Sequence, residues 1–378
     1  MTGPPVERVL LVHEIYSGYG GAERYLELLA DGLAERGVQV QALVFGVDTS
    51  AGQVAADRLA AGPAAVTYLP HRFSPRALRR RLEDFPADVV HWNFADPFSY
   101  RGATWLVLPW GRPSVVTDHL PMLRCGRHWE STRALANRRI GAMIVVSQAA
   151  VAEARAHWGR PPPIVAVANA GSADVVAVRD RPPAGEPVRL AFVGRLEDQK
   201  DPGFALRVLG ALVSGGTRAT LTVVGDGSLR AALEAGVPAS LEDSVTFVGH
   251  SKTPWSAVAD AHVLLAPSRY EGGFPLVARE ALASGLPVVL SDIAPHRELE
   301  DPAVRLAPLG EVGPWVQAVG DLVASLPEAS QGAIGRFGQA ARATMVSETL
   351  AAYELALTPA GTRPSATPAS PAADLPPR

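Results

Sequence analysis

Short runs rich in Val and Leu alternate with amphipathic helical patterns along most of this chain. In the first half the runs are RVLLVH, VQVQALVF, AVTYLP, DVVHWN, PSVVTDH, AMIVVS and PIVAVA. In the second half they are VRLAFVG, ATLTVVG, SVTFVGH, HVLLAPS, PVVLSD and AVRLAP. Such alternation is typical of βαβ units, in which parallel strands are buried on both faces. It therefore predicts an α/β fold with doubly wound sheets.

A Pro-rich segment, RPPAGEP, interrupts this pattern at residues 181–187. A chain of 378 residues is long enough for two domains of ordinary size. We therefore predict a Rossmann-like domain over residues 1–182 and a second one over 187–334, facing each other across a cleft. Residues 335–357 are predicted to be helical. Residues 358–378 are rich in Pro, Ala and Thr, and we expect them to be disordered.

Composition excludes several classes of protein. The net charge is −3, so no overall field draws the chain to nucleic acid. Its single cysteine, Cys125, fits a reducing compartment, and the N-terminus lacks a signal-peptide pattern. No apolar run has the length of a membrane span, so we expect a cytoplasmic protein. A basic run, PRALRRRLEDF, favours a solvated helix; the alternatives are contact with an acidic acceptor or, at most, peripheral contact with an anionic membrane.

The segment from Pro267 to Val289 carries the strongest functional signal. It places Glu271 and Glu280 around a glycine pair, between two apolar runs that predict strands. The turn then lies at the carboxyl edge of a sheet, where ligands bind in α/β folds. A helix N-terminus there suits a pyrophosphate, and the two carboxylates can hold hydroxyl groups. The pattern favours a nucleotide-sugar site.

A second motif, GRLEDQKDP, runs from Gly194 to Pro202 and follows the strand LAFV. It places Arg195 and Lys200 at the carboxyl edge of the same sheet. A diphosphate spreads its charge over several oxygens, which suits a guanidinium and an ammonium together. The sequence has only one other lysine, Lys252, so an ammonium is retained here in a chain that otherwise uses arginine.

Weaker signals lie at other predicted strand ends. Gly20 and Gly21 open a helix after the first strand, where backbone amides can contact phosphate or sugar. His119 ends another strand and can bond a sugar hydroxyl, although Asp118 competes for this role. Aromatic residues that could stack on an acceptor are Trp92, Phe94, Phe98 and Tyr100. The sequence contains no Asp-x-Asp and no zinc spacing, so neither a metal nor a cofactor is expected.

Together these motifs resemble those of the retaining glycosyltransferases of family 4. The resemblance covers residues 7–357, and its most specific part is PSRYEGGFPLVAREALASGLPVVLSD. It implies the GT-B fold, in which the C-terminal domain binds a nucleoside-diphosphate sugar and the N-terminal domain binds the acceptor. It also implies that the final helix crosses back to the first domain. The family needs no metal and retains the anomeric configuration, by attack on the front face of the sugar.

The resemblance also implies roles for single residues. Arg195 and Lys200 would neutralise the diphosphate, and Glu280 would hold the ribose. Glu271 would contact the donor sugar near the reacting centre, and His119 would bond one of its hydroxyls. Together Glu271, His119, Arg195 and Lys200 are the candidate catalytic residues. Besides Arg195, Lys200 and Glu280, the candidate donor-binding residues are Gly20, Gly21, Gly194, Gly225, His250, Gly272, Gly273, Phe274, Pro275 and Leu276, and the backbone amides from Gly273 to Leu276 would assist at the sugar.

The sequence departs from the family at two places. The usual Asn-Gly after the last strand of the N-terminal domain is altered to Asn169-Ala170-Gly171, and the spacing of the two glutamates differs. Eight residues separate Glu271 from Glu280, whereas the family usually has seven. Either the glycine-rich loop bulges and still presents Glu271, or Glu271 is displaced and the sugar is recognised differently.

Several alternatives stay open at the level of the sequence. UDP is the favoured nucleotide by family habit and GDP the second. The acceptor could be a glycan, a lipid-linked sugar or a natural product, and the oligomeric state is not indicated. A nucleotide-sugar epimerase and a non-catalytic nucleotide-sugar binding protein are the rival functions. A NAD-dependent dehydrogenase is disfavoured because HEIYSGYGGAE lacks the Gly-x-Gly-x-x-Gly pattern.

Overall fold

Two parallel β-sheets organise the molecule in this computed structural model. The structure describes residues 6–15, 20–46, 50–69, 74–94, 108–119, 135–158, 162–171, 175–271 and 275–358. Strands and helices alternate along the chain, as the apolar runs predict. The doubly wound α/β fold with two Rossmann-like sheets is thereby confirmed.

The first sheet has the strand order β3-β2-β1-β4-β5-β6-β7. Its strands are β1 Arg8–Ile15, β2 Gln39–Gly46, β3 Ala65–Leu69, β4 Val89–Phe94, β5 Ser114–Asp118, β6 Ile140–Val145 and β7 Ile164–Ala166. The order reverses between β1 and β4, and a ligand binds beyond the carboxyl ends of the strands at such a switch point. The register there pairs His13 with Asn93, and Asn93 with Thr117.

The second sheet repeats the design with the order β10-β9-β8-β11-β12-β13. Its strands are β8 Val188–Val193, β9 Ala219–Val224, β10 Val245–Gly249, β11 Val263–Ala266, β12 Val288–Ser291 and β13 Val304–Ala307. Here the switch point lies between β8 and β11. The two motifs with the strongest functional signal follow these two strands.

Helices cover the sheets. Those on the first sheet are α1 Gly21–Glu35, α2 Ser50–Ala60, α3 Pro75–Asp84 and α4 Gln148–Trp158. Those of the second domain are α5 Pro202–Ser214, α6 Arg230–Ala235, α7 Pro254–Ala257, α8 Leu276–Ala283, α9 Val312–Ala324 and α10 Glu328–Phe337. The last helix, α11, spans Gln339–Leu357. It begins later than residue 335 because α10 continues to Phe337, and Gly338 separates the two helices.

Alternating strand residues supply the cores on both faces of each sheet. In β1, Val9 and Leu11 join one apolar cluster while Leu10 and Val12 join the other, as the period of a strand requires. The cluster under α1 also contains residues of α11, including Met345 and Val346, both fully or almost fully buried. The final helix therefore crosses back and completes the core of the first domain, which confirms this part of the predicted fold.

Two arginines of helix α3 contact other residues of the first domain. Arg81 donates a hydrogen bond to Gln41 at 3.3 Å, and the guanidinium of Arg79 lies 6.0 Å from the centre of the Trp110 ring. No helix in the described ranges combines the length and the apolar composition that a membrane crossing requires.

Candidate functional site

Two glycines lie at the carboxyl ends of β8 and β9, beside the second domain's switch point. Gly194 follows β8, Gly225 follows β9, and Gly194 donates to the Val224 carbonyl at 3.0 Å. Gly225 has a φ of 144°, and a Cβ added to it would lie 1.8 Å from the carbonyl oxygen of Gly194. Only glycine permits two backbones to approach so closely. The structure therefore brings together two residues that the sequence assigned separately to the donor.

Hydrogen bonds hold the loop 194–201 to the loops that follow β9 and β11. Glu197 accepts hydrogen bonds from Ser228, from the backbone at 2.9 Å and from the hydroxyl at 2.7 Å. On the other side, Gln199 donates to the carbonyl of Tyr270 at 3.0 Å, and its own carbonyl accepts from the amide of Arg269 at 2.8 Å. The motif after β8 is thus held against the motif after β11.

Lys200 and Glu271 form an ion pair at this junction. Glu271 is 8% exposed, and the side chain of Lys200 is 18% exposed. Asp201 follows Lys200 with a left-handed φ of 44° and caps α5, accepting from the Phe204 amide at 3.2 Å. A non-glycine residue in this conformation is strained, and such strain is typical of functional loops. Glu271 stays at the sheet edge beside Lys200 despite the longer spacing to Glu280.

Arg195 extends from the same loop towards solvent. Its side chain is exposed and donates to the Gln199 side chain at 2.9 Å. It therefore lies on the same loop as Lys200 without sharing that residue's ion pair with Glu271.

His296 is a residue of this region that sequence reasoning missed. It is fully buried and its Nδ1 lies 2.7 Å from the carbonyl of Ser291, which ends β12. Burial lowers its pKa; the charge of Glu271 opposes that change and the charge of Lys200 adds to it. A neutral imidazole therefore lies beside the ion pair. A histidine soon after a buried strand was the available signal.

Glu280 lies on α8 and meets the first domain. Its Oε1 accepts from Nε of Arg24, on α1, at 3.1 Å. Burial raises the pKa of Glu280 to about 7, although the charge and hydrogen bond of Arg24 and a hydrogen bond from Trp255 oppose the rise. The carboxylate is therefore poised between its neutral and charged forms near physiological pH.

The first domain's switch point contains a buried pair of a histidine and a glutamate. His13, at the end of β1, contacts Glu23 through Nε2 at 2.9 Å and the Asn93 carbonyl through Nδ1 at 2.7 Å. Burial alone would lower the pKa of His13, but the hydrogen bond and charge of Glu23 outweigh it, so the pKa is raised. Each ring nitrogen faces an acceptor oxygen, the Asn93 amide nitrogen also lies 3.2 Å from Nδ1, and the raised pKa favours the protonated form of His13. The other oxygen of Glu23 accepts from the Gly20 amide at 2.8 Å and so fixes the start of α1.

Asn93 sets the state of His119. Its amide nitrogen donates to the carbonyl of Ala22 at 3.2 Å, so its Oδ1 must face the Nε2 of His119, 2.7 Å away. Nε2 therefore carries the proton, and Nδ1 keeps its lone pair. Burial lowers the pKa of His119 to about 4. His119 is thus a neutral hydrogen-bond acceptor, suited to a sugar hydroxyl and not to acid catalysis. Asp118 is 1% exposed, whereas His119 is partly exposed.

A buried polar chain runs from this site to the final helix. His91 bonds Thr117 at 2.7 Å and the Tyr353 hydroxyl of α11 at 2.7 Å. The Tyr25 hydroxyl lies 3.4 Å from the same Thr117 oxygen, and its ring meets His119 edge-on at 5.0 Å. Burial lowers the pKa of His91 to about 3, so the chain is neutral. Through Tyr353, the final helix therefore supports the candidate site of the first domain.

The remaining candidate residues fall into three groups. Gly20 and Gly21 begin α1, and Leu276 begins α8. His250 is exposed after β10. Gly272, Gly273 and Phe274 lie outside the described residues, as do Phe98 and Tyr100.

Two expectations are corrected. Trp92 is 0% exposed and packs on Trp110, with ring centres 5.7 Å apart, so it belongs to the core and not to an acceptor site. Pro275 has no backbone N–H, so it cannot join the proposed row of amide donors from Gly273 to Leu276. Within the described ranges, no three His, Cys, Asp or Glu residues gather as metal ligands would.

This architecture, with two Rossmann-like domains and a closing helix, is that of the GT-B glycosyltransferases. Residues 19–171 match the family model for glycosyltransferase family 4, and residues 187–325 match that for group 1 glycosyl transferases. The chain belongs to these glycosyltransferases, and a glycosyltransferase activity follows from that membership.

Several relatives are mycobacterial enzymes. A GDP-mannose-dependent α-mannosyltransferase of Mycobacterium tuberculosis is 29% identical over 335 residues, which cover 82% of this chain and 84% of that protein. A D-inositol 3-phosphate glycosyltransferase of Mycobacterium leprae is 34% identical over 143 residues, covering 35% of this chain and 32% of the relative.

Solved structures share the fold at low identity. HepE of Anabaena, in complex with UDP and glucose, has a TM-score of 0.68 and 18% identity, covering 90% of this chain and 99% of that one. The lipopolysaccharide outer core galactosyltransferase WaaB, in its apo form, has a TM-score of 0.65 and 19% identity, covering 91% and 98%.

Proposed function

We propose that this protein transfers a hexose from a nucleoside-diphosphate sugar to a hydroxyl group, without a metal and with retention of the anomeric configuration. The observation that carries the proposal is the Lys200–Glu271 pair at the switch point of the second sheet. It places an ammonium and a carboxylate together where a sugar phosphate would lie in this fold.

The chemistry requires a stabilised leaving group. The bond from the anomeric carbon to the diphosphate oxygen breaks, and the acceptor oxygen forms a bond to the same face of that carbon. The acceptor proton passes to the departing phosphate, and a nucleoside diphosphate leaves. Lys200 and Arg195 would stabilise the charge that develops on the phosphate, so no strong protein base is needed.

The other residues would hold the donor. Glu280 would accept hydrogen bonds from the ribose, and Glu271 from the transferred sugar. His119 would accept one sugar hydroxyl through Nδ1, for which its neutral state is suited. The close packing of Gly225 on Gly194 would fix the backbone against which the donor lies.

The proposal includes two candidate nucleotides and three classes of acceptor. GDP-mannose is the donor named for two relatives of this chain, whereas solved structures of the fold hold UDP. UDP remains favoured by family habit, and GDP-mannose is the donor to compare with it. A glycan, a lipid-linked sugar or a natural product would serve as acceptor.

A thermal-shift panel tests the proposal. UDP, GDP, UDP-glucose and GDP-mannose are each added in the presence of EDTA, because a ligand that binds only the folded state raises the Tm. We expect a rise with one diphosphate and with its sugar. Slow release of the sugar from the donor can then be monitored by NMR of the sugar's anomeric proton. The released sugar should first appear with the anomeric configuration that it had in the donor. A Tm unchanged by every nucleotide would overturn the proposal, and the opposite anomer would overturn retention.

A further inference from the structure

Arg24 is the side chain through which the first domain contacts Glu280. Its Nε donates to Oε1 of Glu280 at 3.1 Å, and the two residues lie 256 positions apart in the sequence. The side chains are 26% and 13% exposed, respectively. An ion pair that is partly withdrawn from water is more strongly fixed than one on an open surface.

Glu27 holds Arg24 in place from the same helix. Nη1 of Arg24 donates to Oε2 of Glu27 at 2.7 Å, and Nε of Arg58, on α2, lies 3.5 Å from Oε1 of Glu27. Charges thus alternate along Arg58, Glu27, Arg24 and Glu280. Because two carboxylates engage different nitrogens of one planar guanidinium, its orientation is set before any ligand arrives.

The first domain also fixes the backbone of Glu280. Gly171 follows β7, and a Cβ added to it would lie 2.3 Å from the Arg279 carbonyl oxygen and 2.7 Å from the Glu280 amide nitrogen. Only a residue without a side chain can pack so closely on α8. Both the main chain and the carboxylate of Glu280 are therefore positioned by residues of the other domain.

The geometry leaves the carboxylate able to bind more donors. Arg24 occupies one site on Oε1, and Trp255, on α7, supplies a hydrogen bond as well. A carboxylate has about four acceptor sites, so room remains for two hydroxyl groups. The charged groups that act on Glu280 are Arg24, which favours its ionised form, and Glu27, which disfavours it. Arg24 thus helps to keep Glu280 a carboxylate that can accept hydrogen bonds from a diol.

We propose that Arg24 is a positioning residue of the donor site, which holds Glu280 in place for the ribose hydroxyls of the nucleotide. The proposal rests on the proposed function, since it takes Glu280 as the ribose-binding residue. Its consequence is that recognition of the ribose in one domain depends on a side chain of the other. A nucleoside diphosphate is then bound fully only when the two domains are in contact.

The test compares ribonucleotides with their 2′-deoxy forms by calorimetry on the full chain. UDP and GDP are each titrated beside 2′-deoxy-UDP and 2′-deoxy-GDP. One hydrogen bond to a charged group corresponds to a preference of about tenfold or more for the ribonucleotide in the wild type. Glu280→Gln should reduce that preference, and Arg24→Gln should reduce it to about threefold or less. Arg24→Lys keeps the positive charge but not the planar guanidinium. Its preference for the ribonucleotide should lie between those of Arg24→Gln and the wild type.

Arg36→Gln is the matched control. Arg36 directly follows the last residue of α1, at the opposite end of that helix from the site, is exposed and contacts Ser347 at 3.0 Å. It should keep the full preference, and the Tm of each variant confirms that it is folded.

The outcomes separate the two proposals. If Arg24→Gln keeps the wild-type preference while Glu280→Gln loses it, the role of Arg24 is overturned alone. If Arg24→Gln weakens both nucleotide forms equally, Arg24 contacts the phosphates or the base instead, and the role is again overturned. A wild-type protein that binds neither diphosphate would overturn the proposed function, and this inference with it.

Discussion

The candidate donor-binding side chains at the two switch points differ in charge. In the second domain, Lys200 and Glu271 are charged and pair with each other on loops at the sheet edge. In the first, the neutral site consists of the partly exposed His119, whose Nε2 donates to the buried Asn93, and the neutral chain around His91. The His13–Glu23 pair adjoins this site at Asn93 without forming part of it. The charged site suits a diphosphate, whose charge changes during the reaction, whereas the neutral one suits hydroxyl groups, which need direction more than charge.

The comparison predicts first that the charged site is the more sensitive. Lys200→Ala should lower turnover by about ten- to a hundredfold, because the leaving phosphate loses a charge-assisted hydrogen bond. Steady-state assays with saturating donor measure the effect. Lys252→Ala, which removes the other lysine from an exposed position, is the matched control and should leave turnover unchanged. Equal activity of the two variants would contradict the role of Lys200.

Placing a charge in the neutral site should damage it. In Asn93→Asp, a carboxylate faces Nε2 of His119 and should raise its pKa from about 4, because an adjacent anion favours the imidazolium. Nδ1 then carries a proton and cannot accept a sugar hydroxyl, so turnover should fall about tenfold at neutral pH. Titration of the ring by NMR measures the pKa. Asn93→Ala should weaken activity without raising that pKa, and a pKa still near 4 in the aspartate variant would refute the assignment.

The titration of Glu280 should make the stability of the protein depend on pH. Its pKa is about 7 in the folded protein and 4.5 in the reference state. Between these values the folded protein keeps a proton that the unfolded chain has released, so stability falls as pH rises across this window. In Glu280→Gln this loss of stability is absent. The Tm of the variant, relative to that of the wild type, should therefore rise by a few degrees from pH 5 to pH 8. Glu354→Gln, at an exposed position on α11, should show no such trend.

The smallest expected effect lies where the final helix joins the neutral site. Tyr353→Phe removes the hydroxyl that bonds His91 and should lower the stability of the first domain by about 1–2 kcal/mol. The midpoint of urea unfolding measures it. Tyr270→Phe, at a side chain that is 46% exposed, is the comparison and should have almost no effect. A midpoint unchanged in Tyr353→Phe would show that the hydrogen bond contributes little.

The charged site could be predicted because its information is local. Lys200 and Glu271 each follow an apolar run within a few residues, and parallel strands bring their carboxyl ends to one edge. Lys200 follows β8 and Glu271 follows β11. Because these two strands are neighbours in the sheet, the two residues meet at the second switch point. What the sequence did not indicate is that the two side chains form an ion pair with each other.

The neutral site and the domain contact could not be predicted in the same way. His91 and Tyr353 meet across 262 positions, and Arg24 meets Glu280 across 256. No local spacing encodes such contacts, since they depend on how α1 and α11 pack. A usable signal existed in the polar residues inside apolar runs, such as His91 and Asn93 in DVVHWNF, because buried strands rarely carry them without a hydrogen-bonding purpose.

The crossing of α11 has a consequence for how the protein is made. The first domain leaves the ribosome first, yet Met345, Val346, Ala352 and Tyr353 belong to its core and are translated only after the second domain. Domains generally fold as units in the order of synthesis. Here the first unit stays unfinished, with apolar surface uncovered beside α1, until the residues of α11 have been translated. Newly made chains should therefore depend on chaperones more than the size of either domain suggests.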